Sequence, residues 1–316
     1  MRPLAKLVGV AGIVCAAAVS AQTYPAKPIR IIVGPGPDIV ARIFGQKLTD
    51  AWGQQVVIDT RPGAGGAIAT DMVAKAPPDG YTLLLASAAY TINAVLQPSA
   101  FGVIKDFSPV AFCASSPFIL VVHPAVPAHT VKELIALARS RPGQIAYASS
   151  GNGTPPHLAG ELFKSMAHVN IVHVPYKNAA PAMVDVVAGQ VQMAFMIVSV
   201  SLPQVQSGKV RGLAVSSLQR SRLVPDLPTL AESGLPGFEV IGWNGLLAPA
   251  GTPQAIVGKL NGEIMRELKQ PEVSQRLLGA GYEPSREHTP EQFGTYMKDE
   301  IAKWTKVVKE SGMKVD

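Results

Sequence analysis

The chain has 316 residues, more than one ordinary domain needs, and 47% of them are hydrophobic against 16% charged. That aliphatic content can bury a sizeable core and excludes the disordered and collagen-like classes. The net charge of +6 is carried without any run of Lys and Arg, which argues against nucleic acid as a partner.

The first residues read as an export signal. Arg2 and Lys6 form a short basic region, and residues 7–19 are apolar but too short for a comfortable membrane span. Val19-Ser20-Ala21 then places small residues at the usual cleavage offsets. Residues 1–21 are therefore expected to be a signal peptide, with a mature start near Gln22; the alternative is an uncleaved anchor helix. Cleavage removes Cys15 and two positive charges, leaving Cys113 as the one thiol and no intramolecular disulfide. Cys113 sits in an apolar run that reads as a strand, so a buried, inert thiol is expected.

Residues 28–33 predict a strand that ends in the turn Gly34-Pro35-Gly36-Pro37, and Asp38 suits the N-cap of a helix over 39–48. A second strand (55–59) runs through Arg61-Pro62-Gly63-Ala64-Gly65-Gly66 into a small-residue helix (67–76), and residues 81–86 predict a third strand. Alternating strands and helices argue for a parallel sheet with helices on its faces. The rhythm returns with a strand at 118–122, a helix at 131–140 behind Thr130, and a strand at 145–148. A loop and a helix (155–167) opened by two prolines follow. Strands at 169–174, 191–198 and 210–216 and a helix at 181–188 complete this second unit. Beyond an extended segment (238–247), three helices are predicted, the last opened by the capping box Thr289-Pro290-Glu291-Gln292. Their place suggests that the chain returns to finish its first unit. The expected division is residues 22–122 plus 246–316 for lobe 1 and 123–245 for lobe 2.

Catalytic spacing is absent: the chain has no G-x-S-x-G, no P-loop, no H-E-x-x-H and no C-x-x-C. His168 and His173 are not spaced as a metal pair on a helix, and Gly34-Pro35-Gly36 lacks the third glycine of a dinucleotide site. No metal or cofactor is expected. What stands out is a set of uncharged junctions between a strand and the next helix. In an open parallel sheet, ligands bind at the carboxyl ends of strands, where helix N-termini offer free N–H groups to a carboxylate or phosphate. The candidates are Gly34, Pro35, Gly36 and Asp38 in a loop at 34–38, then Ser87 and Ala88 in a loop at 87–91, then Ser149, Ser150, Gly151, Asn152, Gly153 and Thr154 in a loop at 149–154. For the last group, plain helix capping is the competing reading. For Arg61–Gly66 a sharp turn is favoured over an anion site, while His157 and Lys177 are weaker contact candidates. An exported α/β hydrolase would need Ser149 or Ser150 beside His157 or His173, with no orienting third group supplied by spacing.

The segment Tyr24-Pro25-Ala26-Lys27-Pro28-Ile29-Arg30-Ile31-Ile32-Val33 resembles the opening strand of the Bug family, the substrate-binding receptors of tripartite tricarboxylate transporters in Gram-negative bacteria. Tyr147-Ala148-Ser149-Ser150-Gly151-Asn152-Gly153, Val174-Pro175-Tyr176-Lys177 and Trp243-Asn244-Gly245-Leu246-Leu247-Ala248-Pro249 extend the likeness, in order, over essentially the whole mature chain. The resemblance implies a periplasmic, type II-like flytrap: two α/β lobes joined by crossover strands, holding a carboxylate by loop amides and ordered water. Ligands across the family include tricarboxylates, dicarboxylates, acidic amino acids and aromatic carboxylates such as nicotinate. A monomer that serves membrane transporter subunits is expected, with a sensor lacking transport as an alternative. Two departures bear on the ligand. The first loop is clipped to four residues between Val33 and Asp38, where the family usually has about eight. Met196 stands where the family often has an aspartate, which favours a monocarboxylate or dicarboxylate with some apolar body over citrate.

Overall fold

Strand β1 (Ile29–Val33) is buried on both faces, and its alternation shows why. Ile29, Ile31 and Val33 enter one hydrophobic cluster and Ile32 another, while Arg30 reaches Asp59 on the neighbouring strand. The computed structural model describes residues 24–34, 38–61, 63, 66–96, 102–286 and 288–311. The proposed signal segment, Pro35 and Gly36 lie outside these.

β1 pairs in parallel with β2 (Val56–Thr60) and β3 (Thr82–Ser87). Helices α1 (Ile39–Trp52) and α2 (Ala67–Ala74) make the connections. α1 ends on Gly53, whose φ of 65° closes the helix in the left-handed region. Asp38, expected as its side-chain cap, makes no capping bond and instead holds Arg42 at 2.6 Å. Ser87 and the residues after it were expected to form a loop. Instead α3 (Ala88–Leu96) starts directly after β3, because Ala-Ala-Tyr-Thr carries no glycine or proline to break the path into a helix.

The two expected strands around Cys113 and at 118–122 are one, β4 (Phe107–Val122). Its first part pairs antiparallel with β9 (Ile241–Pro249) in the first sheet. From Phe118 on it pairs with β7 (Met193–Ile197) and β8 (Arg211–Val215) in the second. β4 thus crosses between two lobes, and the segment 216–240 brings the chain back to β9. The second sheet continues from β7 to β5 (Ala146–Ser149) and β6 (Val172–Pro175), both parallel. Helices α4 (Val131–Ser140), α5 (Pro155–Ala167) and α6 (Ala179–Val187) cover it. Thr130 caps α4 by accepting from the Glu133 N–H, as its position predicts.

Helix α7 (Val198–Gln206) has no counterpart in the sequence reading. Its Val-Ser-Val-Ser alternation mimics a strand, and Pro203 sits inside it. The three late helices are present as α8 (Gln254–Leu268), α9 (Pro271–Gly279) and α10 (Pro290–Ser311), with the short strand β10 (Glu283–Pro284) between the last two. Thr289 and Gln292 exchange both capping-box bonds, at 2.9 and 3.2 Å. α8 and α9 pack on the first sheet through Val257, Leu260, Val273 and Leu277. α10 lies across the junction, where Phe293, Met297 and Trp304 share one core with Phe118 and Trp243 of the crossover strands and Phe163 of α5. Gly245 permits that approach: a Cβ there would overlap the Phe293 ring and come 2.9 Å from the Ala111 carbonyl.

Candidate functional site

A cavity of about 410 Å³ opens between the two sheets, of a size that takes a small organic molecule. Gly34, Ser87, Ala88 and Tyr90 line it from the first lobe, and Ser150, Thr154, Ala179 and Met196 from the second. The crossover segments supply Ser116, Phe118, Trp243 and Asn244. No charged side chain is among the described lining residues, so any anion held there must be met by amides, hydroxyls and helix ends.

The candidate loop 149–154 is turned mostly inward. Ser149 is fully buried, with Oγ 2.6 Å from His173 Nε2 and within hydrogen-bond reach of the Gly151 N–H. The Gly153 N–H donates to His157 Nδ1 and the Thr154 hydroxyl to the Gly151 carbonyl. Ser149, Gly151, Asn152 and Gly153 do not line the cavity, whereas Ser150 and Thr154 do. Of the other candidates Gly34, Ser87, Ala88 and Met196 line it, and Asp38 does not. Lys177 does not line it either, while Gly66, at the start of α2, does.

Behind the loop lies a buried polar cluster. His157 and His173 stack 3.8 Å apart, and Tyr147 stacks on the other face of His173. The Tyr147 hydroxyl donates to Glu161, which also accepts from Lys164. Burial lowers both imidazoles below their ordinary value, His173 to about 4, with the neighbouring His157 as a second cause. Ser149 therefore meets an imidazole as the hydrolase alternative requires. It is sealed from the cavity, however, and Glu161, the carboxylate of this cluster, is engaged by Tyr147 and Lys164.

Asn244, Trp243 and Phe118 line the cavity although the sequence did not mark them, and Tyr90, inside the candidate loop 87–91, lines it as well. The sequence placed 238–247 only as extended, and a lone Asn in an apolar strand was the available signal. Among the described residues there is no group of His, Cys, Asp and Glu arranged to hold a metal. Nor is any helix among them long and apolar enough to cross a membrane.

Comparison with known proteins agrees with this architecture. The family model described as the tripartite tricarboxylate transporter family receptor matches residues 40–313. Protein BugT of Bordetella pertussis is 39% identical over 307 residues, covering 95% of this chain and 94% of the relative. The structure of Rhodopseudomonas palustris Rpa4515 with adipate has a TM-score of 0.78 at 35% identity, covering 92% of this chain and 99% of that one. MatC of the same organism, solved with bound malate, gives 0.74 at 32% identity, covering 90% and 100%. The chain therefore belongs to the tripartite tricarboxylate transporter receptor family of periplasmic binding proteins.

Proposed function

We propose that the protein captures a small carboxylate in the interlobe cavity and presents it to the membrane subunits of a tripartite transporter, binding without turnover. The observation that carries this reading is a two-lobe cavity with no charged side chain among its described lining residues, ringed by the N-terminal ends of α2, α3, α5 and α6. Helix ends can meet an anion without an Arg or Lys, at a desolvation cost already met in folding. The relatives solved with adipate and malate support a carboxylate of similar size. The apolar Met196, Phe118 and Trp243 favour one with an aliphatic or aromatic body over a citrate-like ligand. The protein acts as an exported monomer, its first 21 residues removed as a signal peptide; the lobes, expected to divide after 122 and after 245, divide in this reading inside β4 near Phe118 and before β9, because β4 changes sheet there and β9 pairs wholly with the first sheet. Thermal melts of the periplasmic protein with adipate, malate, benzoate, nicotinate and hexanoate test the function. At least one should raise the Tm saturably, and a flat response to all five would remove the carboxylate reading.

A further inference from the structure

The hydroxyl and amide groups that line the cavity differ in whether they are already engaged. Tyr90 donates to the Val103 carbonyl, Ser116 to Gly281, Thr70 to Gly66 and Thr154 to Gly151. Asn244 is different. It is 9% exposed, faces the cavity, and its side-chain amide makes no hydrogen bond among the described residues. An amide that faces the cavity without a protein partner is free to bind what enters it. Its strand neighbour is Ser87, directly opposite in the antiparallel β3–β9 register and lining the same cavity. Side chains opposed in this way share one face of the sheet. Ser87 immediately precedes α3, whose first N–H groups, on Ala88, Ala89 and Tyr90, have no acceptor within the helix.

The helix N-termini of the second lobe have fewer N–H groups to offer, although the Ser150 hydroxyl lines the cavity there. α5 begins with Pro155 and Pro156, which have no N–H, and the loop before it uses three amide N–H groups internally. In α6 the Ala180 N–H is capped by Asn178 and the next residue is Pro181.

Resting on the carboxylate reading above, we infer that Ser87, Asn244 and the N-terminus of α3 form the pole that receives the ligand's carboxylate. The second lobe then closes over the ligand's body chiefly as an apolar cover, with Pro155, Pro156, Met196 and Ile197 against it. Asn244 donates through its amide N–H, Ser87 through its hydroxyl, and the positive end of α3 completes the anion's surroundings.

The test is calorimetric titration of the periplasmic protein, Asn244→Ala, Ser87→Ala and Ser150→Ala, with the five acids named above. Tm of each variant is measured alongside. The inference expects Asn244→Ala and Ser87→Ala each to weaken the best of these acids at least about 10-fold, as loss of a hydrogen bond to a charged group should. Ser150→Ala, on the second-lobe side of the cavity, should weaken it by less than either first-lobe variant, and a larger loss there would overturn the pole. If the wild-type protein binds none of the five, the carboxylate reading itself fails and the pole with it. If it binds and both first-lobe variants match it, the pole is overturned while the function stands. Ser87→Ala decides alone if Asn244→Ala does not fold, since Ser87 is only half-buried and its hydroxyl makes no bond among the described residues.

Discussion

The imidazoles of His157 and His173 lie face to face, 3.8 Å between centroids and 7° from parallel, directly behind the second-lobe loop. Charging either ring places a cation against its neighbour in a site shared with Tyr147, Glu161 and Lys164. Both rings are lowered in the folded protein, so the unfolded chain takes up protons first. Their contribution is thus complete above the ordinary value of 6.5 and is lost as pH falls from there towards about 4. His173 keeps part of its solvent contact, so the conversion is discounted to about 1 kcal/mol, roughly 2–4 °C in Tm. In melts from pH 7.5 to 4.5, His173→Phe, which keeps a ring but cannot protonate, should lose less Tm than wild type. Its absolute Tm should be lower, because Ser149 loses a partner. Equal slopes would contradict the assignment.

Ser149 and His173 make a serine–imidazole contact without access to substrate. No ester or amide hydrolysis should therefore be detectable with chromogenic substrates, and Ser149→Ala should leave that background unchanged. Its effect should be on stability, on the order of 1 kcal/mol for the lost hydrogen bond, read as a fall in the denaturant midpoint.

Gly245 is where α10 meets the crossover strands. Gly245→Ala should destabilise by about 1–3 kcal/mol, because its methyl would overlap Phe293 and crowd the Ala111 carbonyl. Urea unfolding measures this, and an unchanged midpoint would mean that α10 is less tightly seated than its packing indicates.

Trp243 is 1% exposed, lines the cavity, and its Nε1 has no hydrogen-bond partner among the described residues. Trp243→Phe should therefore cost less stability than most buried Trp replacements, since no hydrogen bond is broken. It should also remove most of any ligand-induced change in tryptophan fluorescence. A response that persists in the variant would have to arise from Trp52 or Trp304.

The sequence showed the sheet-and-helix rhythm well where one residue pattern allowed one structure. Alternating Ile29, Ile31 and Val33, the prolines that start α5, and the Thr289 capping box all correspond to the elements found. It misled where local pattern and tertiary context disagreed. Val198–Gln206 alternates like a strand but is a helix, and β4 runs unbroken across two lobes although its sequence suggests two strands. The site was legible only by region. Glycines and hydroxyls marked the loop 149–154, but those groups largely bond one another there. Asn244 is equally polar, yet its role depends on the β3–β9 register, and long-range strand pairing is not written into any short window.

The most direct test of the central claim is a titration that separates charge from shape. The periplasmic protein is titrated calorimetrically with its best-binding carboxylic acid and with the corresponding neutral amide. A carboxylate receptor predicts one site per chain for the acid and at least about 100-fold weaker binding of the amide, because helix-end amides favour an anion over an isosteric neutral group. Equal affinity for the two, or binding of the amide alone, would contradict it.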